Sequence, residues 1–285
     1  MRVKLRPGTV EDAPICGTIC YRAFAGIAAH HNFPSDFPEP EVAVNLLASL
    51  LSRADIYSVV AERDGKIIGS NFLWTTVPIA GIGPFTIEPS AQGSGIGRLL
   101  LEDVLNRARG QNFSGYRLVQ AAYNTRSLSL YTKFGFCARE PLSVLQGPAV
   151  GQEIPGYAVR RAAQSDLTAC NSICRSVHGH TRSQELLYAI RQATATVVMH
   201  SGRITGYATL IGFHGHAVGE KNDALKALIA AASAFQGPGF IVPTRNSELL
   251  RWCLEKGLRV VQPLTLMSLG LYNEPAGSFL PSILY

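Results

Sequence analysis

Residues 89–98 are a segment whose composition suits the binding of a phosphorylated ligand. The segment reads PSAQGSGIGR and joins a predicted strand to a predicted helix. Glycine has no Cβ, so the backbone at Gly93, Gly95 and Gly97 can approach a ligand closely. Unpaired N–H groups at a helix start, with the positive end of the helix dipole, bind pyrophosphate, and Arg98 adds a positive charge. Glycine-rich turns also serve merely to connect strands to helices, and the segment alone does not separate the two roles.

A second group of polar residues lies on a helix predicted from Asn124 to about Lys133. Tyr131 carries a phenol whose reference pKa of about 10 suits a proton donor. Its seven-residue spacing from Asn124 places both side chains on one helix face. The alternative interpretations are structural: Tyr131 as an aromatic residue packed on the sheet, and Asn124 as the helix N-cap.

Two other phosphate-binding motifs fit the sequence poorly. A nucleotide P-loop needs Gly-Lys-Ser/Thr, which is absent from the glycine segment. A dinucleotide-binding fold has an acidic residue about 20 positions after its glycines, and residues 117–120 read RLVQ at that place. Both alternatives are therefore disfavoured.

Taken together, the two segments resemble the signatures of the GNAT N-acetyltransferase superfamily. Residues 92–97, QGSGIG, are similar to the family's Gln/Arg-x-x-Gly-x-Gly/Ala motif, and the family-like GPFTIEP precedes them at 83–89. Residues 124–136, NTRSLSLYTKFGF, are similar to the family's Asn…Leu-Tyr-x-x-x-Gly-Phe helix. The resemblance implies an α/β fold with a mixed sheet, and a glycine loop that holds the pyrophosphate of CoA.

The resemblance also implies a reaction, direct transfer of an acetyl group from acetyl-CoA to a primary amine without a covalent enzyme intermediate. Positioning then supplies much of the catalysis. By resemblance, Tyr131 is the catalytic acid that protonates the CoA thiolate, and no metal is expected. The residues expected to bind acetyl-CoA are Phe85, Thr86, Ile87, Gln92, Gly93, Ser94, Gly95, Ile96, Gly97, Arg98, Asn124, Ser127 and Tyr131. A non-catalytic regulator that binds acyl-CoA is the alternative, and it would not need Tyr131.

The groups that deprotonate and bind the acceptor amine are less defined. Glu62 and Glu88 are candidate bases, although either can be a solvated carboxylate at a strand end, and water-relayed deprotonation stays open. Another set is expected to face the acceptor, with core packing as the alternative: His30, His31, Phe33, Phe37 and Trp74. The partner is expected to be a small-molecule or peptide amine.

The chain contains a second, degenerate copy of the same pattern. Residues 3–24 align with 157–178 without a gap. The matched pairs are Arg6 and Arg160, Asp12 and Asp166, Cys16 and Cys170, Ile19 and Ile173, and Cys20 and Cys174. The spacing from Asn124 to Gly135 recurs from Asn246 to Gly257. The strand-turn-strand segments at 60–69 and 197–206 also correspond. Three matches in the same order favour duplication over chance similarity.

These patterns predict two tandem GNAT-like acyl-CoA N-acyltransferase domains. The catalytic domain is expected at 1–145, a Gly- and Pro-containing linker at 146–155, and a degenerate GNAT-like domain at 156–285. In the second copy, residues 214–223 lack the paired glycines and carry Glu220 and Asp223, and Cys253 stands opposite Tyr131. We therefore expect the second copy to bind no acetyl-CoA and to border the acceptor cleft of the first.

Composition sets outer limits on these interpretations. Hydrophobic residues make up 47% of the chain and charged residues 16%, which is typical of a globular protein. Basic residues give a net charge of +6 but form no run, which disfavours a nucleic-acid partner. The N-terminus lacks the apolar core of a secretory signal, and no apolar run is long enough to span a membrane. With six unclustered cysteines, the chain is expected to be cytoplasmic.

Two smaller features also carry expectations. Cys170, Cys174, His178 and His180 have spacings that suggest a metal, but the repeat favours small buried thiols on a helix face. The apolar tail from Phe279 to Tyr285 is expected to dock on the protein, and its terminal carboxylate is a further candidate for assisting deprotonation.

Overall fold

The computed structural model describes residues 3–75 and 78–284 of the chain. The contacts divide it into two compact units. Unit 1 comprises the residues up to Cys137 together with Met267–Leu271 and Leu284, and unit 2 comprises Ala138–Leu266 and Tyr272–Ile283. The sequence-based boundary at 145 follows the order of the repeat along the chain, whereas the units assign residues 138–145 to unit 2 and 267–271 to unit 1.

Unit 1 is a mixed sheet with helices on both faces. Its elements are β1 (Lys4–Pro7), α1 (Ala13–His30), α2 (Pro40–Leu51), β2 (Ile56–Arg63), β3 (Lys66–Trp74), β4 (Ile79–Ile82), β5 (Thr86–Ile87), α3 (Ile96–Ala108), β6 (Gly115–Ala121) and α4 (Thr125–Lys133). The strand order is β1-β2-β3-β4-β6. The pairs are antiparallel except for β4 and β6, which run parallel.

Alternation along β2 explains how the sheet carries a core on each face. Val59 and Ala61 pack in the cluster that contains Leu100 and Val104 of α3. Val60, between them, packs with Cys16 and Cys20 of α1 and Leu47 of α2. Since successive side chains of a strand point to opposite faces, α3 and the α1–α2 pair cover opposite faces of the sheet.

Apolar residues at four-residue spacing predict a first helix from Val10 to about Phe24, and the structure differs from this prediction. A 3₁₀ turn, Val10–Asp12, comes first, and α1 then continues to His30. The turn forms because the Asp12 carboxylate accepts hydrogen bonds from the backbone N–H of Thr9 at 2.8 Å and from Arg6. The 3₁₀ geometry imposed by Asp12 ends at Ala13, where α1 begins. The alanine-rich residues 23–30 favour continuation of the helix to His30.

The sequence pattern predicts one strand over residues 82–87. The structure has two short strands there instead, β4 and β5. Ile82 pairs with Leu73 of β3, whereas Ile87 pairs with Gly69, so the register along β3 shifts by one residue between β4 and β5. Pro84 lies in the gap and has no N–H to donate to the ladder. A bulge or local splay of the strand is expected at Pro84, and the observed register shift confirms it.

Unit 2 repeats this set of elements with shorter connections. It contains β7 (Cys137–Gln146), β8 (Tyr157–Arg161), α5 (Leu167–His178), α6 (Ser183–Arg191), β9 (Thr196–His200), β10 (Arg203–Ala208), β11 (Ala217–Gly219), α7 (Asn222–Ala231), β12 (Phe240–Pro243), α8 (Ser247–Glu255), β13 (Arg259–Gly270) and β14 (Ser278–Leu280). One sheet has the order β14-β11-β10-β9-β8, and β7 lies between β12 and β13. The antiparallel pairing of β7 with β12 explains why residues 138–145 belong to unit 2.

The repeat seen in the sequence recurs in atomic detail. Arg6 donates two hydrogen bonds to Asp12 at 2.7 and 2.8 Å, and Arg160 donates two to Asp166 at the same distances. The backbone N–H of Thr9 and that of Ala163 each lie 2.8 Å from the matching aspartate. The predicted fold class, mixed α/β in two tandem GNAT-like domains, is confirmed.

Other sequence expectations can be compared with the described residues. Phe279 and Leu280 are buried in β14, which pairs with β11, so the apolar tail is docked as expected. Tyr285, whose carboxylate was a candidate base, lies outside the described residues. Cys170 and Cys174 are fully buried. Among the helices described, none combines the length and apolar character needed to cross a bilayer.

We predict that Asp12→Asn lowers the free energy of unfolding by about 1–2 kcal/mol, because Asn keeps the turn's acceptor but loses the charge. Arg6 holds the pKa of Asp12 below its usual range. Such a carboxylate stabilises the fold above its unfolded pKa of about 3.9, and the contribution disappears as the pH falls through the folded value. Urea unfolding of both proteins should therefore give midpoints that differ at pH 7, begin to converge as the pH falls below about 5, and meet only below the folded pKa of Asp12.

Asp166→Asn should cost less, because the Arg160 side chain is 47% exposed and that of Arg6 is 28% exposed. Asp55→Asn is the control: its partner is Arg53 and its own side chain is 40% exposed, so the loss should stay below about 1 kcal/mol. Equal losses in Asp12→Asn and Asp55→Asn would contradict a special role for the Arg6–Asp12 pair.

Candidate functional site

A cavity of about 1000 Å³ opens in unit 1. This volume lies at the upper end of the range of about 300–1000 Å³ that is common for small-molecule sites. The lining comes from α1, β5, the glycine loop, α3 and α4: Ala23, Phe24, Gly26, Ile27, His30, His31, Phe85, Thr86, Ile87, Pro89, Gln92, Gly93, Gly95, Gly97, Arg98, Tyr123, Asn124, Thr125, Arg126, Ser127, Ser129, Leu130, Tyr131 and Lys133.

The cavity forms where two parallel strands part. β4 and β6 pair from Ile79 with Gly115 to Gly81 with Arg117. Past this stretch, one strand leads through the register shift to β5, and the other leads to Tyr123 and Asn124. Phe85–Ile87 and Tyr123–Asn124 both line the cavity, so its walls are the two chain segments that follow the paired stretch.

The glycine loop brings backbone to the cavity. Gly93 and Gly95 have φ values of 79° and 86°, a region that side chains with a Cβ rarely adopt. A Cβ added to either glycine would meet no atom within 4 Å, so the space above both is open. Gly97 has a different role, because its Cβ would lie 3.1 Å from Ile87 and 3.3 Å from Leu130. There the absence of a side chain permits close packing.

The start of α3 supplies donors without partners in the helix. Its first intrahelical bond runs from the N–H of Leu99 to the carbonyl of Gly95 at 3.3 Å, so the N–H groups of residues 96–98 precede the ladder. Arg98 lines the cavity while its Nε donates to Glu102 at 2.8 Å. Backbone donors, a helix N-terminus and a guanidinium together favour an anion.

Two residues predicted for cofactor binding point elsewhere. The Ser94 hydroxyl donates to the carbonyl of Ala91 at 2.6 Å, and the Ile96 side chain is buried in the core. Neither side chain lines the cavity, so only their backbone can contribute. Gln92 does line it and donates to the carbonyl of Ile87 at 3.2 Å, which ties the loop to β5.

The opposite wall is the first turns of α4. The Asn124 side chain accepts a hydrogen bond from the N–H of Ser127 at 3.2 Å, so it is the helix N-cap as well as a lining residue. Tyr131 is buried with its ring centroid 6.2 Å from Phe85 and 5.9 Å from Phe136. Burial raises the pKa of Tyr131, so its phenol stays protonated at physiological pH.

The two candidate carboxylate bases are engaged elsewhere. Glu62 accepts from Arg6 at 2.7 Å, and Glu88 accepts from Arg22 at 2.8 Å. Neither is among the residues that line the cavity. His30 and His31 do line it.

The residues expected near the acceptor separate into two groups. His30 and His31 line the cavity, and Phe33 stacks on Tyr123 with ring centroids 4.4 Å apart. Phe37 is buried, and Trp74 packs against the same core cluster, so core packing is their role. Tyr123 was missed by sequence reasoning, although its position directly before Asn124 was an available signal.

The corresponding part of unit 2 has a different chemistry. Only Glu220 and Lys221 connect β11 to α7, where unit 1 has residues 88–95, including the glycine loop, between β5 and α3. Glu220 accepts two hydrogen bonds from Arg203, and Asp223 pairs with Lys226 at 3.0 Å. Cys253, opposite Tyr131 in the repeat, is fully buried.

The helix starts of unit 2 are also bridged by side chains. Asn222 at the start of α7 and the N-cap Asn246 of α8 exchange hydrogen bonds at 3.1 and 2.8 Å. Asn222 also donates to Glu248 at 2.9 Å. In unit 1 the equivalent positions of α3 and α4 border the cavity.

Comparison with known proteins identifies the sequence family of the region around the cavity. The profile of the acetyltransferase (GNAT) family matches residues 25–136. An IAA acetyltransferase from Azospirillum brasilense is 32% identical over 93 residues, covering 32% of this chain and 61% of that protein. A mycothiol acetyltransferase from Nocardia farcinica is 38% identical over 113 residues, 37% of each chain. The matches span less than two thirds of either relative.

Some solved structures are similar in fold to the chain over both units. A candidate acetyltransferase from Pyrococcus horikoshii is 18% identical with a TM-score of 0.77, over 99% of this chain and 94% of that one. A tandem GNAT protein from the clavulanic acid biosynthesis pathway is 13% identical with a TM-score of 0.57, over 94% and 98%. Residues 25–136 therefore match the acetyltransferase (GNAT) family, and the fold over most of the chain is similar to that of a tandem GNAT protein.

Proposed function

We propose that unit 1 is an acetyl-CoA-dependent N-acetyltransferase that acetylates a primary amine by direct attack. One observation carries the proposal: a single cavity joins an anion-favouring glycine loop to a buried, protonated tyrosine. The family match, which covers most of unit 1, supports acyl transfer.

The chemistry follows from the proposed positions of the groups. The glycine loop and the first N–H groups of α3 would hold the pyrophosphate of CoA, with Arg98 and Arg126 beside it. The amine nitrogen attacks the thioester carbonyl, the C–N bond forms, and the C–S bond breaks. Tyr131 gives its phenolic proton to the departing sulfur, a general-acid step worth about 10²–10⁴-fold in rate. The proton lost by the nitrogen passes to water, and water returns a proton to Tyr131, so the products are the amide and the CoA thiol. No metal takes part in this scheme, and a cytoplasmic location belongs to the same proposal.

We predict that Gly95→Ala weakens acetyl-CoA binding at least tenfold by calorimetry, because the new Cβ enters the cavity and the left-handed backbone becomes strained by about 1–2 kcal/mol. Gly65→Ala is the matched control, since Gly65 has φ +74° and equally open surroundings but lies in the β2–β3 turn. Both variants should lose similar stability. If their affinities for acetyl-CoA were also similar, the loop would not be the phosphate site.

We predict that Tyr131→Phe lowers kcat about 10²-fold with little change in the Kd of acetyl-CoA, because the variant loses a proton donor and keeps the ring. Tyr57→Phe is the control: its hydroxyl donates to Asp103 at 2.7 Å and lies outside the cavity lining. Acetyl-CoA binding with unchanged turnover in Tyr131→Phe would exclude the acid role. Acetyl-CoA binding by the wild type without transfer to any amine would favour the regulator.

We predict a stoichiometry of one acetyl-CoA per full chain. In unit 2, Glu220 brings negative charge to the region of the missing loop, and the Asn222–Asn246 bridge spans the helix starts. The double variant Gly93→Ala, Gly95→Ala of the full chain should accordingly show no residual tight binding by calorimetry. Two sites per chain, or one site surviving in the double variant, would contradict this assignment.

A further inference from the structure

The wall formed by the end of α1 lies away from the glycine loop. Arg22, in the middle of α1, forms an ion pair at 2.8 Å with Glu88, which directly precedes the loop region. His30 lies eight residues further along the same helix, a rise of about 12 Å at 1.5 Å per residue. His30 and His31 still line the cavity, so the cavity extends well beyond the proposed phosphate site.

At this far end, aromatic rings hold Tyr123 in place. Phe33 stacks on it at 4.4 Å between centroids with the planes only 10° apart. His31 packs against the same ring at 5.3 Å, and His30 packs against His31 at 4.9 Å. Tyr123 is half-buried and lines the cavity together with Phe24. A ligand that reaches this end meets rings and aliphatic groups.

The charges in the cavity are distributed unevenly. Of the lining residues in the described part of the chain, Arg98, Arg126 and Lys133 are cationic, and none is Asp or Glu. The nearby Glu88 is paired with Arg22. An acceptor that carries ammonium groups besides the reacting amine would therefore find no carboxylate among the lining residues to pair with them.

We propose that His31 and Tyr123 form the acceptor subsite, and that it takes a primary amine with a single ammonium group on an aromatic or apolar body. The inference rests on the proposed function, because it names the acceptor class for the same cavity. The rings contact the body of the acceptor, and the lining offers no carboxylate to a second ammonium group.

The same features disfavour polyamines, aminoglycosides and basic peptides. Each brings a second or third ammonium group, for which the lining offers no carboxylate. A cation left without a partner in a partly enclosed site loses hydration without compensation. Lys133 would add repulsion to any extra positive charge placed near α4.

The first experiment compares acceptors of the wild-type full chain by release of free CoA thiol. The panel contains 2-phenylethylamine and tryptamine as aromatic monoamines, with spermidine and a lysine-rich peptide as polycations. We expect kcat/KM for the aromatic monoamines to exceed that for the polycations at least tenfold. A preference for spermidine or the peptide would overturn the acceptor class while leaving the proposed N-acetyltransferase intact.

The second experiment tests the two residues. Tyr123→Ala should raise the KM for 2-phenylethylamine about tenfold, because the variant loses an aromatic contact with the acceptor. Tyr123→Phe should restore the wild-type KM, and His31→Ala should raise it by a smaller factor. Calorimetric affinity for acetyl-CoA should stay unchanged in all three variants. Tyr116→Ala is the control, since Tyr116 is also half-buried and packs on a phenylalanine, Phe113, but lies outside the cavity lining.

A binding measurement separates the two proposals. 2-Phenylethylamine is titrated calorimetrically into the protein saturated with CoA, where no transfer can occur. Binding that is lost in Tyr123→Ala and kept in Tyr123→Phe and Tyr116→Ala would support the subsite even if turnover failed for every amine. No binding to the wild-type CoA complex, or equal binding to Tyr123→Ala, would overturn it.

Discussion

The site of unit 1 depends on a parallel strand pairing that is only three residues long. β4 and β6 are joined from Ile79 with Gly115 to Gly81 with Arg117, and hydrogen bonding along a longer stretch would have closed the space that the cavity uses. The register shift around Pro84 directs β5 onto β3, so Thr86 and Ile87 pair with β3 and also line the cavity. The same geometry places the glycine loop and α3 directly after β5, at the end of the gap. The position of the N–H donors therefore follows from where the strands part.

Comparison of the two copies distinguishes the interactions that stabilise the fold from the residues that form the candidate site. Both copies keep an arginine–aspartate pair with the same 2.7 and 2.8 Å hydrogen bonds, and both keep an N-cap asparagine on the equivalent helix. These interactions lie at helix starts, where backbone N–H groups need partners in any copy of the fold. The glycine loop and Tyr131 occur in unit 1 only. The residues at these two places differ between the copies, which changes the chemistry of the region. The pattern of core residues is the same in both copies.

The sequence predicted the features that depend on neighbouring residues. Helical periodicity located α2, α3 and α4 to within a few residues, and the glycine spacing located the loop. The features it missed depend on residues far apart in the chain. The pairing of β7 with β12 joins residues about a hundred positions apart, and no local pattern encodes that choice. Tyr123 lines the cavity and stacks on Phe33, which lies 90 positions earlier, whereas Phe37 and Trp74 pack in a core cluster and are not among the lining residues.

A binding site must keep polar groups available before the ligand arrives. The two units differ in how the polar groups at their helix starts are arranged. In unit 1 the N–H groups at the start of α3 face a cavity, and the left-handed backbone of Gly93 and Gly95 keeps that space open. In unit 2 the starts of α7 and α8 are joined by the Asn222–Asn246 exchange, and Glu248 extends the network to Lys226. In unit 2 these hydrogen bonds join side chains of the protein, whereas in unit 1 the equivalent helix starts border the cavity. Each such bond contributes about 0.5–1.5 kcal/mol to folding, so the network adds to the stability of unit 2.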